Sequence, residues 1–163
     1  MAARYPHAMN PLQAHVIALL HELAHGPETG AAYGHFSEPA AGLLPTLERL
    51  DAAQASAQAL PTRPTLAAFV AHLTQLLTFA AGQLNSAIEF PDFAAPWQTG
   101  AVSEEEWPVI QADLAAAFTA MQAVLKCREL ENEELNVAQS TLTHAAYHAG
   151  AIRFQALNLL AGR

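Results

Sequence analysis

A long, alanine-rich segment near the C-terminus, residues 133–160, predicts one amphipathic helix against which the rest of the chain must pack. Within it, His144 and His148 are four residues apart, so both imidazole rings lie on one helix face and can reach one metal ion. A chain of 163 residues with eight histidines contains roughly 0.35 such pairs by chance. The pair therefore needs a third ligand from elsewhere in the chain. From the helical spacing we predict that the inner face of this helix comprises Val137, Thr141, His144, His148 and Ile152.

Composition favours an all-α fold. Hydrophobic residues make up 52% of the chain and charged residues only 13%, which excludes a disordered protein. Alanine supplies much of the apolar fraction and β-branched residues are scarce, so the bias is toward helix. We predict a single domain over residues 1–163, with residues 1–9 as a loose N-terminal lead-in.

Charge and cysteine content indicate which partners fit the chain. Its formal net charge is −8, and seven Lys and Arg residues spread along it make no phosphate-binding surface, so we predict no nucleic-acid partner. Cys127 is the single cysteine, which excludes an internal disulfide and a thiolate-cluster metal site and indicates a reducing compartment. No uninterrupted apolar run approaches 18 residues, and no basic segment precedes an apolar core at the N-terminus. We expect a cytoplasmic protein with no membrane partner.

Start and stop signals divide the chain into five predicted helices. Asn10 and Thr65 are N-cap residues, and Asn132 is the expected cap of the last helix. Ser103 and Glu106 have the spacing of a capping box. These signals predict helices over 10–25, 43–60 and 66–87, a fourth that begins near residue 103, and the last over 133–160.

Two irregular features accompany these helices. The stretch 88–102 interleaves aromatic residues with proline, which predicts a cover over one end of the core or, alternatively, a lid over a pocket. Gly150 lies inside the last helix, where glycine costs stability relative to alanine. We expect a neighbouring backbone to approach the helix closely at this point.

The segment His21–His25 matches the H-E-x-x-H pattern of zinc peptidases, in which two histidines bind the metal and the glutamate is a general base. His25 directly precedes Gly26 and Pro27, where the helix frays, whereas a peptidase site holds both rings rigidly within a helix. No Glu-bearing helix follows immediately to supply a third ligand. We interpret the motif as the exposed polar face of an amphipathic helix.

His72 is the only histidine between His35 and His144, and it lies in the predicted helix over 66–87. One interpretation is a buried neutral imidazole with one hydrogen bond, since its helical neighbours include Phe69. The other is a metal ligand that faces the histidine pair of the last helix, because side chains of facing helices converge on interior sites in a bundle. The residues by themselves leave both open.

Several segments resemble the DinB/YfiT-like metalloprotein superfamily, over roughly residues 16–155. The segment from His144 to Arg153 resembles the closing helix of that family, and Thr65 to Leu73 resembles its helix with the first metal ligand. The entry from Val102 to Trp107 and residues 42–56 also fit. The resemblance implies a four-helix bundle with two crossing connections, here with an additional N-terminal helix, and a homodimer.

The same resemblance implies a divalent metal ion, zinc or nickel, bound by His72, His144 and His148 and completed by water. It assigns no role to His21 or His25. Characterised enzymes of the family are mostly thiol-cofactor transferases or isomerases. We therefore expect a low-molecular-weight thiol whose thiolate, held at the metal, attacks a small-molecule electrophile.

Two other functions stay open: a metal-dependent hydrolase that uses bound hydroxide, and a non-enzymatic, metal-binding helical-bundle dimer of the stress response. Three imidazoles and an open position are typical of a catalytic zinc site. Gln75, Thr141 and Tyr147 are candidates to orient a ligand imidazole, and Arg153 is a candidate to meet a substrate carboxylate. The sequence identifies no catalytic nucleophile, since Cys127 lies far from the ligands along the chain.

Overall fold

The computed structural model describes residues 9–28, 34–36, 42–60 and 62–162. These residues form six α-helices, one 3-10 turn and no strand, which confirms the prediction of an all-helical chain. Residues 1–8 of the predicted lead-in over 1–9, and most of residues 26–42, lie outside the described residues. In chain order the helices are α1 Pro11–His25, α2 Leu43–Leu47, α3 Ala52–Ala55, α4 Leu66–Leu84, the 3-10 turn Ala95–Gln98, α5 Glu106–Cys127 and α6 Asn132–Ala161.

Four long helices, α1, α4, α5 and α6, enclose the hydrophobic core. Helix α4 packs against α5 and α6, and α1 packs against the same two helices. The N-terminal helix is therefore one of the four long helices and not an addition to them. The largest side chains that are fully buried between the helices include Leu20, Leu73, Leu77, Leu114, Phe118, Met121 and Ile152.

The prediction of one continuous helix over 43–60 is wrong. Helix α2 ends at Leu47, and a separate short helix, α3, begins after Asp51. The Asp51 carboxylate accepts a hydrogen bond from the Gln54 backbone N–H at 2.8 Å, and the Gln54 side chain accepts one from the Asp51 backbone N–H at 3.1 Å. In this reciprocal capping box, side chains accept the hydrogen bonds of the Asp51 and Gln54 backbone N–H groups. In a continuous helix these N–H groups would bond to backbone carbonyl oxygens of the preceding turn, so the capping box starts a new helix.

The other predicted helix starts agree with the structure to within about three residues, and the largest shift is at α5, which begins at Glu106 rather than near residue 103. Asn10 caps α1, Thr65 caps α4, and Ser103 and Glu106 exchange hydrogen bonds at 2.8 and 3.2 Å at the start of α5. The N-cap residue of α6 is Glu131 rather than the predicted Asn132, and the Glu131 backbone N–H donates to the Glu134 carboxylate at 2.9 Å. Inside α6, the close backbone approach expected at Gly150 is not found within the described chain, where an added Cβ meets nothing within 4 Å. Helix α4 ends at residue 84, three residues before its predicted end.

Helices α4 and α5 are each long and apolar enough, by length and composition alone, to cross a membrane. Both bury part of their surface against the other long helices, and core helices of soluble proteins meet the same criterion. The expected cytoplasmic location and the absence of a membrane partner therefore stay predictions.

The Gly42→Ala substitution is expected to lower the free energy of unfolding by roughly 3 kcal/mol or more, because it forces two backbone segments apart. A Cβ atom at Gly42 would lie 2.2 Å from the carbonyl carbon of His25 and 2.4 Å from the backbone nitrogen of Gly26. Denaturant unfolding measures the change. At Gly100 an added Cβ meets nothing within 4 Å, so Gly100→Ala is the matched control. Equal stability of the two variants would contradict the close approach at Gly42.

Candidate metal centre

Helices α4 and α6 bring three histidines together. His72 lies on α4, and His144 and His148 lie one turn apart on α6. One ligand nitrogen from each ring can be chosen so that all three atoms lie within 4.8 Å of one another. In the part of the chain that the structure describes, no other group of His, Cys, Asp or Glu residues is arranged this closely. Three histidines in this arrangement can hold a metal ion.

The three rings converge on one point. The ring centre of His72 lies 4.6 Å from that of His148 and 5.6 Å from that of His144. The Nε2 atoms of His144 and His148 are 2.9 Å apart. Because helical spacing places the two α6 rings on one face and the packing of α4 supplies the third, the cluster depends on both local and long-range structure.

Several imidazole nitrogens of this cluster are buried and have no hydrogen-bond partner. His72 is 9% exposed and His148 is 7% exposed. Neither ring nitrogen of His72, nor Nδ1 of His148, has a hydrogen-bond partner among the described residues. An unsatisfied buried polar atom costs about 1–3 kcal/mol, and coordination to a metal would offset this cost at a ligating nitrogen. The donor set therefore fits a metal ion, and a core His72 satisfied by a protein hydrogen bond does not match what the structure shows.

The electrostatic surroundings keep these rings neutral, the form that binds metals. Burial lowers the pKa of His148 to about 4, with further contributions from His72 and His144. Burial likewise lowers the pKa of His72 from its ordinary value of 6.5, and the neighbouring His144 adds to the effect. At neutral pH both nearly buried rings are free to donate a lone pair.

We expect the stability of the metal-free protein to fall as the pH is lowered from about 6.5 toward about 4. In this range the unfolded chain takes up protons at His72 and His148 that the folded chain excludes, so the loss is complete near the folded pKa and absent above 6.5. Thermal unfolding in the presence of a chelator measures the change. The His148→Gln variant is expected to show a shallower dependence on pH. A slope equal to that of the unsubstituted protein would contradict the lowered pKa of His148.

Aromatic side chains pack against the cluster. The indole of Trp97, in the 3-10 turn, stacks on the His72 ring with ring centres 4.2 Å apart and planes 29° apart. Phe69 packs edge-on against Trp97 at 5.3 Å and lies 6.1 Å from His148. The stretch 88–102 therefore reaches the histidine cluster through Trp97, a contact that the sequence analysis did not identify. The sequence feature that could have indicated this contact is an aromatic residue in a proline-containing loop that follows the helix of His72.

A groove of about 430 Å³ between α4 and α6 runs beside the cluster, and His144 lines one part of it. The other lining side chains are apolar, amide or hydroxyl groups, and none of them is Asp, Glu, Lys or Arg. They comprise Leu76, Phe79, Ala80, Gln83, Phe93, Asn136, Val137, Ser140 and Thr141. A small molecule in this groove would lie next to an exposed ligand of the cluster.

The predicted supporting residues make other contacts. The Thr141 hydroxyl donates to the Val137 carbonyl oxygen in its own helix at 2.8 Å, and the Gln75 side chain donates to the Asp92 carbonyl oxygen at 2.9 Å. The Tyr147 side chain is 73% exposed, with its ring 5.1 Å from that of His148. None of these three side chains forms a hydrogen bond with a cluster imidazole in the described structure, and their orienting role stays a prediction. Arg153 extends toward the Phe36 carbonyl oxygen at 3.5 Å.

The H-E-x-x-H segment of α1 forms no three-ligand group with other described residues. His25 is the last residue of α1, as the sequence analysis expected. Burial works against ionisation of Glu22, but hydrogen bonds from the Phe36 N–H and from His35 lower its pKa overall. This carboxylate therefore ties residues 35–36 to α1.

Comparison with known proteins identifies no family. No protein-family model and no curated protein matches the sequence, and no solved structure matches the fold. The resemblance to the DinB/YfiT-like superfamily therefore stays a prediction.

Proposed function

We propose that this chain is a DinB-like enzyme in which His72, His144 and His148 bind one divalent metal ion, zinc or nickel. The observation that carries the proposal is the convergence of three imidazoles whose ligand atoms lie within 4.8 Å of one another, with buried nitrogens that lack partners. Zinc and nickel suit this set because both accept imidazole nitrogen readily. Three ligands leave at least one position for water or a substrate atom, as in catalytic sites.

The proposed reaction is the transfer of a low-molecular-weight thiol to a small electrophile, or an isomerisation that depends on such a thiol. When bound, the metal ion would lower the pKa of a thiol or of water and so supply a nucleophile near neutral pH. The three imidazoles are neutral ligands, so a bound ion would keep its positive charge. That charge is what would lower the pKa of the thiol or water. The chain's own contribution is to hold the three rings in place, with Trp97 stacked on the ring of His72.

The groove between α4 and α6 supports thiol transfer over hydrolysis. Its amide and hydroxyl groups can orient a small polar molecule, and its apolar side chains can bind an uncharged electrophile. A metal-dependent hydrolase usually places a carboxylate near the attacked bond as a general base, and none lines the groove among the described residues. The acidic net charge of −8 supports the absence of a nucleic-acid partner.

The test is a conjugation assay with protein reconstituted with zinc or nickel, monobromobimane as electrophile, and cysteine or a larger cellular thiol as cosubstrate. We expect conjugation above the rate of the free thiol, lost after chelation and in the His72→Ala variant. The His21→Ala variant serves as the matched control and should retain the activity. Ester or amide hydrolysis that needs no thiol would instead identify a hydrolase, and a loaded metal site with neither activity would identify a non-enzymatic metal-binding protein.

A further inference from the structure

The groove between α4 and α6 contains polar side chains that have no partner within the described chain. Gln83, Asn136 and Ser140 line it, and none of the three forms a side-chain hydrogen bond with another described residue. The neighbouring Thr141 hydroxyl differs, because it donates to the Val137 carbonyl oxygen at 2.8 Å. Gln83 is half-buried and the other two are exposed, so all three are accessible from the groove. A ligand can therefore bond to them without displacing a protein group.

Two of these groups, the amides of Gln83 and Asn136, lie at the end of the groove that is far from the histidine cluster. On α4 the lining residues run from Leu76, one turn after His72, to Gln83. On α6 they run from His144 back to Asn136, so the two helices are antiparallel along the groove. Residues 136 and 144 are eight positions apart, which corresponds to about 12 Å along a helix. A ligand that reaches from the cluster to both amides is therefore elongated.

Aromatic rings line the groove between its two ends. Phe79 and Phe93 meet edge-on, with ring centres 5.3 Å apart and planes 89° apart. Phe93 is 46% exposed, so part of its ring is available to a bound molecule. An edge-to-face pair leaves a ring face on which a planar apolar group can stack. This part of the groove therefore suits a flat, apolar body.

The groove offers no ion partner. None of the described residues that line it is Asp, Glu, Lys or Arg. A carboxylate or ammonium group that entered the groove would lose hydration and gain no opposite charge in return. A neutral carboxamide would instead both donate to and accept from the two amide side chains. The lining therefore favours an uncharged ligand over an ionised one.

We propose that the electrophile of this enzyme is an uncharged, elongated molecule with a planar apolar body and a neutral hydrogen-bonding group at its far end. The body packs against Phe79 and Phe93, and the far group bonds to Gln83 and Asn136. The assignment rests on the proposed function, since it sets the reacting end of this molecule beside His144, at the cluster. Gln83 and Asn136 are then the residues that determine which electrophile is accepted.

Equilibrium binding to metal-free protein in chelator tests this ligand class without any reaction. The probes are β-naphthamide and β-naphthoate, which have nearly the same shape but differ in charge at neutral pH, and calorimetric titration measures each affinity. We expect the amide to bind roughly tenfold more tightly than the carboxylate, because only the carboxylate loses hydration without an ion partner. Equal affinities, tighter binding of the carboxylate, or binding of neither probe would overturn the proposal.

The Asn136→Lys variant tests where the far group lies. It is expected to raise the affinity for β-naphthoate roughly tenfold, because the new ammonium supplies the missing ion partner. Gln139→Lys adds the same charge to α6 outside the groove, so its affinity for β-naphthoate should stay within about a factor of two of the unsubstituted protein. Both positions are exposed, so neither substitution disturbs the core. An equal gain in both variants would refute the placement of the far group at Asn136.

These measurements are independent of metal binding and of thiol transfer. A protein that holds metal and conjugates thiols but binds neither probe would retain the proposed function and lose only the assigned electrophile class. A protein that binds no metal, yet prefers β-naphthamide and responds to Asn136→Lys as expected, would support the ligand site and refute the thiol transferase.

Discussion

The His148→Ala variant is expected to lose nearly all bound metal. The ring of His148 is 7% exposed, and its neighbours His72 and His144 would be left as a two-ligand site, too few to retain zinc or nickel through purification. Elemental analysis of protein purified without added metal and without a His-tag measures the content. The unsubstituted protein should contain close to one ion per chain. His72→Ala and His144→Ala are expected to give the same loss, because each removes one of the three ligands.

The matched control is His21→Ala, which removes a histidine of the H-E-x-x-H segment. His21 lies on α1 and belongs to no three-ligand group among the described residues, so metal content should be unchanged. Full retention of metal by His72→Ala or His148→Ala would refute the proposed site. Loss in His21→Ala would restore the peptidase-like interpretation of α1.

The local part of the candidate site could be predicted from the sequence because helix geometry is local. Four residues along α6 place His144 and His148 on one face in any straight helix, and the Nε2 atoms indeed lie 2.9 Å apart. The third member, His72, could not be assigned by spacing. It is separated from the pair by more than 70 residues, and its place depends on how α4 packs against α6. The family resemblance, not the periodicity, selected it.

The contacts that surround the cluster could not be predicted from the sequence, for two physical reasons. Trp97 reaches His72 from a loop, and no periodic pattern predicts the path of a loop. The hydroxyl of Thr141 was expected to reach an imidazole but bonds the carbonyl oxygen one turn earlier in its own helix, a local partner that is always available. The break at Asp51 shows the same competition, since a capping box divided an otherwise helical pattern over 43–60.

The Gln13→Leu variant is expected to lower the free energy of unfolding by roughly 3–5 kcal/mol, because it removes the partner of three backbone groups, two of which make buried hydrogen bonds. Gln13 is fully buried on α1. Its side-chain nitrogen donates to the carbonyl oxygens of Leu125 and Arg128 at 2.5 and 2.7 Å, and its oxygen accepts from the Leu130 N–H at 3.0 Å. This one amide therefore ties α1 to the connection between α5 and α6. Urea unfolding followed by circular dichroism measures the loss.

The control for this effect is Gln122→Leu on α5. Gln122 is half-buried, and its side-chain contact with Lys126, at 3.5 Å, lies at the limit of a hydrogen bond, so the change in stability should stay within about 0.5 kcal/mol. The comparison separates lost hydrogen bonds from the added hydrophobic side chain, which both variants share. Because the Gln13 amide fixes where α6 begins, and α6 carries two of the three histidines, Gln13→Leu should also weaken metal binding in the fraction that remains folded. A variant as stable as Gln122→Leu would show that the buried amide does not hold these helices together.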